Sequence, residues 1–336
     1  MIKKILSVVW KVLLALVLLV VIVLLVFKTY DAIRHNSFYS NSEAVLKTPG
    51  ANEGFVPQGF DYIAEGEIFL ATGYMSNDMP SRVYVMRKDG TTTYTELKKK
   101  DGSDYLGHTG GIAHFGDYIY ITGSKGLDVF SYSDILEGKE STNMIGTVLT
   151  YNDPAHCYVH NGYILAGSFF IEEDYETPEH ERVKTPSGDD NTSVITAFKL
   201  DESFDLGIDP APRAVISTRR CVQGMCITDD GKIVLSTSYG LSTSQLFVYD
   251  ASKLVSEESY DFKGTTKGGI EFEFCGIPRY YLDSSNLVEV IEAPPMSEEL
   301  VYLDGKIYIM NESACNKYIF GKITTGYNIF AYNYKK

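Results

Sequence analysis

Five polar residues stand at nearly one register of a repeated segment. Gln58, His108 and Gln223 each precede a glycine by eight positions (Gly66, Gly116, Gly231), and His156 and Glu298 precede Gly162 and Gly305 by six and seven. Six positions after each glycine comes another polar residue, in order Thr72, Thr122, Ser168, Thr237 and Asn311, with Glu312 behind the last. Neutral imidazole accepts a proton near pH 7, so His108 and His156 are candidate general bases, although the spacing assigns neither a catalytic role. Glu298, Glu299 and Glu312 offer oxygen ligands of the kind Ca²⁺ gathers in sets of about six to eight. Gln58, His108, His156, Gln223, Glu298, Asn311 and Glu312 together form the candidate ligand-binding set. A channel that is wet for purely structural reasons accounts for the same polarity, because loops of small inner strands need hydrogen bonds.

Several chemistries find no support. There is no Gly-x-Ser-x-Gly elbow and no His-Glu-x-x-His pair, so a serine hydrolase or zincin is not indicated. Asp189-Asp190-Asn191 lacks the glycine and closing glutamate of an EF-hand loop. His156 and Cys157 are neighbours, and neighbours on a strand point to opposite sides, which argues against a Cys–His dyad. The five cysteines include no Cys-x-x-Cys pair, so a zinc ribbon or redox motif is unsupported and buried free thiols are expected.

The elements that must position these residues are visible as a repeat. Gly66-Glu-Ile-Phe-Leu-Ala-Thr72 and Gly305-Lys-Ile-Tyr-Ile-Met-Asn311 are two of five segments that open on a glycine and continue as an apolar strand. Self-similarity at about 40–50 residues marks a propeller or solenoid. Later strands such as Val83-Tyr-Val-Met86 and Ile329-Phe-Ala-Tyr332 alternate β-branched and aromatic residues, as a half-buried pleated surface requires. The pattern predicts an all-β chain, a β-propeller of five four-stranded blades. Each blade has strands a to d, so d-to-a connections and b-to-c loops share one face, and the polar residues ring one mouth of the central channel. Convergent polar groups in a concavity are the default site.

The fifth repeat lacks a d strand, and residues 44–47 (Ala-Val-Leu-Lys) at the other end can supply it. Pairing there would close the ring and leave no open edge. The repeat glycines are 50, 46, 69 and 74 residues apart. The excess lies at 171–191, an acidic insertion expected over the mouth, and at 262–286, where 270–275 reads as an extra strand. Long loops in compact domains tend to be functional.

Residues 5–27 are apolar except for Lys11, and about 20 such residues cross a bilayer. Lys3 and Lys4 precede the run and favour a cytoplasmic N-terminus, while Lys28 and Arg34 weaken that bias without reversing it. A cleaved secretory signal would have a run of about 7–15 residues ending on small side chains. This run closes on Leu24-Leu25-Val26-Phe27-Lys28. An uncleaved single-pass signal-anchor is therefore expected: 1–4 cytoplasmic, 5–27 transmembrane, 28–43 a polar stalk, and 44–336 an extracytoplasmic propeller in the cell membrane. The chain carries a formal charge of −14, and residues 1–27 hold three lysines and no acid, so the domain is more acidic than the whole. That balance excludes nucleic acid and favours cations, small molecules or neutral polymers as partners.

Val56-Pro-Gln-Gly-Phe60, His108-Thr-Gly-Gly-Ile112, Val222-Gln-Gly-Met225 and Asn311-Glu-Ser-Ala314 resemble repeats of uncharacterised secreted or membrane-anchored bacterial β-propeller proteins, a resemblance that implies a fold and no activity. More distantly the chain is similar to the gluconolactonase and strictosidine-synthase group of six-bladed, calcium-dependent propellers. That similarity implies a channel metal held by an acid and several Asn or Asp side chains, and lactonase-type chemistry. The matching positions here are mostly Gln and His, with Glu298 the acid directly before an a strand. The residues leave three functions open: a tethered module binding a cell-envelope glycan, peptide or small molecule; a channel-mouth hydrolase or lactonase using Ca²⁺; and a sensor or assembly factor pairing through its membrane helix.

Overall fold

A computed structural model describes residues 2–334. Helix α1 (Ile2–Arg34) is 33 residues long and apolar on every side, and its side chains are exposed along the apolar stretch. A helix that is hydrophobic all round belongs in a core or a membrane. This one lies outside the core, and its length and composition suit a membrane anchor or signal helix.

The rest is a ring of five antiparallel blades. Their a-to-d strands are Phe55–Ile63, Ile68–Met75, Arg82–Arg87 and Thr92–Lys98 in blade 1, then Ile112–Phe115, Tyr118–Gly123, Gly126–Ser131 and Gly146–Leu149 in blade 2. Blade 3 has Pro154–His160, Tyr163–Ser168, Ser193–Leu200 and Ile208–Thr218, and blade 4 has Val222–Ile227, Lys232–Thr237, Ser244–Asp250 and Leu287–Ala293. Blade 5 takes Ser297–Leu303, Lys306–Asn311 and Asn328–Asn333 from the C-terminal part, and its d strand is Ser42–Lys47. Ser42 pairs with Tyr332 and Lys47 with Asn328, with a bulge between Ala44 and Leu46. The last c strand thus has no bare edge.

Each a-to-b hairpin turns on its repeat glycine. In blade 3 the turn is Asn161-Gly162, with φ of 48° and 76°, the paired positive φ values of a type I′ hairpin, whose twist matches that of the strands it joins. At the axis, Gly224 needs its missing side chain, since a Cβ there would lie 2.4 Å from Glu299 Cα in the next blade. Aromatic rings fill the wedges between blades. Tyr120 is fully buried between blades 2 and 3, with its hydroxyl donating to the Leu206 carbonyl at 2.8 Å.

Two expectations need correction. Residues 28–43 are not a free stalk. They continue α1 and form a short helix α2 (Asn36–Ser40), both packed on the domain. Phe38 is fully buried and stacks on Tyr332 at 5.7 Å, while His35 Nδ1 and Tyr39 Oη contact the Asp31 carboxylate at 2.8 and 2.7 Å. Burying Phe38, Asp31 and His35 outweighs the polarity of the neighbouring residues. The extra strand expected at 270–275 is present, within Glu271–Tyr281, but not in the sheet of the blade that bears the insertion. The insertion folds as a hairpin, Val255–Thr265 with Glu271–Tyr281, that adds to blade 3 through parallel pairing of Val215–Ser217 with Arg279–Tyr281. Phe262 is fully buried there beside Val194 and Val215, which explains why the hairpin leaves the blade that bears it.

Candidate functional site: the mouth of the channel

The a strands run down the axis and the b strands return, so both sets of polar residues end on one face. A cavity of about 1140 Å³ opens there. Of the expected set, Gln58, His108, Gln223, Glu298 and Glu312 line it; His156 and Asn311 do not. The lining joins groups from all five blades. Among them are Tyr74, Lys317 and Tyr318, which were not foreseen. Lys317 and Tyr318 sit on the 312–327 connection between strands b and c of blade 5. That connection is far longer than the blade 2 turn between Gly123 and Gly126, and its length is the signal that would have found them.

Glu298 is fully buried, and its one hydrogen bond is long, from Gln223 Nε2 at 3.4 Å. Burial, reinforced by the neighbouring Glu312 and Glu299, holds its carboxyl well above the usual range. Burial also raises Glu312, against the opposing hydroxyl of Tyr318, which donates to it at 2.6 Å. Lys317 Nζ donates to Tyr74 Oη at 2.6 Å, and Tyr74 Oη lies 3.4 Å from Tyr318 Oη. His108 faces the open cavity with its ring 4.6 Å from that of Tyr74. Enclosure by the cavity wall, then the Lys317 charge, lowers its pKa, so it is neutral at pH 7. The floor is therefore a connected group of acid, amide, phenol, amine and imidazole. Strongly shifted carboxyls inside a cavity mark functional sites more often than chance.

The other expected residues hold the scaffold. Thr72 and Thr237 donate to the carbonyls of Arg82 and Gln245, both at 3.0 Å, and Asn311 Nδ2 reaches Ser297 Oγ at 3.3 Å. Thr122 Oγ1 accepts the Gly111 amide at 2.8 Å at the cavity edge. Ser168 donates to Glu181, an insertion residue that burial pushes up to about 8. The same insertion brings Tyr175 to the cavity wall. His156 lies beneath the floor with no exposure, and neither ring nitrogen has a well-formed hydrogen bond. Burial drives its pKa down to about 3, with the Val222 backbone opposing weakly.

Glu299 points away from the cavity. Its Oε1 accepts the Met225 amide at 2.9 Å; burial holds the carboxyl well above the usual range, against the amides of Met225, Cys157 and Leu300, which favour its charged form. The carboxyl thereby ties a strands of blades 3, 4 and 5 across the axis. Glu298, Glu299 and Glu312 consequently do not fit a calcium cage, and among the described residues no three His, Cys, Asp or Glu side chains stand close enough to hold an ion.

No protein-family model matches the chain, and no curated protein matches it. Among solved structures it is similar to a PQQ-bound aldose sugar dehydrogenase from Streptomyces coelicolor, at 14% identity and a TM-score of 0.44 over 80% of this chain and 78% of that one. Myxococcus xanthus glutaminyl cyclase gives 10% identity and a TM-score of 0.44 over 80% and 91%. BamB from Moraxella catarrhalis gives 10% and 0.31 over 88% and 98%. Likeness at this level assigns neither family nor activity, and the five-bladed architecture rests on the strand pairing of this chain.

Proposed function

We propose that this chain is a single-pass, membrane-anchored propeller that binds a hydroxyl-rich ligand, a glycan or related small molecule, in the mouth cavity outside the cytoplasm. One observation carries the reading. Glu298 is a buried carboxyl, held well above the usual range by that burial, with a single weak partner in Gln223, in the wall of an open cavity that Gln58, Tyr74 and Tyr318 also line. Buried polar groups normally have good partners. A sugar hydroxyl both donates and accepts, so it complements an acid, an amide and a phenol together, and tyrosine rings cover its apolar C–H faces. Lys3 and Lys4, ahead of the apolar run of α1, support a cytoplasmic N-terminus.

The test is a thermal-shift series on the full chain in detergent with a panel of oligosaccharides, peptides and divalent ions. A ligand at about 100 times its dissociation constant adds about 2.7 kcal/mol to the folded state. Stabilisation by a saccharide is the expected result, and a flat response across all saccharides would sink the reading. A hydrolase is the second reading, favoured by the Glu298 and Glu312 pair: two raised carboxyls in one cavity can share a proton, as an acid and base must. Release of product from a saccharide or lactone panel, lost in Glu298→Gln, would distinguish it from binding alone.

A further inference from the structure

The end of α1 is fixed to the same face of the ring as the cavity. Phe27, the last apolar residue of the run, packs edge-on against Phe320 with ring centres 6.0 Å apart. Lys28 Nζ donates to the Thr324 carbonyl at 2.8 Å. His35 Nε2 lies 3.2 Å from Thr243 Oγ1 in the b-to-c loop of blade 4, and Arg34 pairs with Glu292 at the end of its d strand. Phe320 and Thr324 belong to the helix Ile319–Thr324, which directly follows the cavity residues Lys317 and Tyr318. From Phe27 to Arg34 a helix advances about 10 Å. The head-group layer on each side of a bilayer is about 5–8 Å thick. A bilayer placed around residues 5–27 therefore meets this face at head-group depth.

The face is suited to that position. Ile319 (69% exposed), Leu106 (58%) and Leu241 (51%) project from its loops, and Phe320 stays 48% exposed beside Phe27. Apolar side chains exposed together on one face mark a contact surface. Lys317 and Lys322 flank Ile319 and Phe320 in the sequence and bring positive charge to the same connection.

We infer that the mouth-bearing face docks on the bilayer that α1 enters, and that the cavity takes the hydroxyl-rich head of a membrane lipid, with its tails left among the lipids beside Phe320 and Leu106. The inference rests on α1 spanning the membrane and, for the head chemistry, on the function proposed above.

The test uses the full chain in phosphatidylcholine nanodiscs. Trp10 is the only tryptophan, so Trp10→Phe gives a silent background. Single probes are then placed by Phe320→Trp and Leu106→Trp on the mouth face and by Tyr163→Trp on the opposite face, all three at exposed sites. Melting at the parent temperature shows that each is folded. Brominated phosphatidylcholine should quench most of the emission of the two mouth probes and leave Tyr163→Trp bright. Equal quenching on both faces, or none at the mouth, would overturn the docking. In a second arm, glucosyl-diacylglycerol in the disc should stabilise the chain at a concentration about tenfold below that needed for water-soluble glucosyl-glycerol, since sharing one membrane raises effective concentration. A soluble head that binds as well as its lipid form would overturn the bilayer source and leave the cavity reading standing. Failure of both heads beside quenched mouth probes would overturn the hydroxyl-rich ligand, and the proposed function with it, while the docking face stands.

Discussion

Glu298 and Glu299 are neighbours with opposite tasks, and the strand alternation that separates them makes their replacements informative. Glu298 has only the long Gln223 contact and glutamine keeps its shape, so Glu298→Gln should change stability by less than about 1 kcal/mol while weakening saccharide binding. Glu299 ties backbone amides of three blades, so Glu299→Ala should cost about 1–3 kcal/mol. Denaturant melts of the two variants check this; a large loss in Glu298→Gln would mean that it serves the scaffold instead. His156 gives a pH-dependent case. Its pKa falls from 6.5 unfolded to about 3 folded, so the unfolded chain binds the extra proton between those values. The stability tied to the neutral ring is complete above pH 6.5 and drains as pH falls towards 3. His156→Leu should therefore be about 2–3 kcal/mol less sensitive to a drop from pH 6.5 to pH 4, and about as stable as the parent at pH 7. Equal pH slopes for the two proteins would refute the buried neutral ring. The sequence placed Gln58, His108 and Gln223 at one register, Glu298 one position from it and Glu312 just past the end of a b strand, and these five line the cavity. His156 shares the polarity but not the outlook: it lies one position past the strand bulge where Gln58, Ala155 and Gln223 stand, and a strand residue shifted by one turns to the other side. Tyr74 escaped notice because one of 25 tyrosines carries no signal of its own.

Among the elements, the strand Ser42–Lys47 and helix α2 decide whether the ring is closed. The strand was legible as a missing partner, since the fifth repeat ends without a d strand and closure is the usual remedy for an open edge. Helix α2 was not, because a five-residue segment with one buried side chain shows no periodicity. Its anchor is Phe38, packed against Phe330 and Tyr332 of the last strand. Phe38→Ala should thus cost about 3–5 kcal/mol, as phenylalanine truncation in a core does. Removing the closing strand should be worse in kind. A chain that begins at Thr48 exposes the hydrogen-bonding edge of Asn328–Asn333 and should aggregate on warming, whereas one that begins at Ser42 should melt reversibly. Light scattering during thermal melts compares the two. Coincident traces would show that the ring does not depend on its seal.

At the scale of the molecule, the contacts between α1 and the ring join residues such as Phe27 and Phe320 that lie at opposite ends of the chain, and no local pattern announces such a meeting. The sequence could say that the domain hangs from a helix, but the face that hangs towards the helix emerges only from the contacts. The proposed direction across the membrane rests on charge: Lys3 and Lys4 lie before the apolar run, and no second helix of this kind exists among the described residues. Three of the five cysteines are buried and Cys275 is exposed, on a hairpin strand that leans outward from blade 3. That thiol reports the side on which the ring stands. In right-side-out membrane vesicles, a membrane-impermeant maleimide should label the chain without permeabilisation, and Cys275→Ser should remove most of the label. The half-buried Cys221, whose sulfur contacts the Phe170 carbonyl at 3.5 Å, should react more slowly. Labelling that requires permeabilisation would place the ring inside, against the charge rule, and with it the cavity, its mouth and the leaflet from which any lipid head would come.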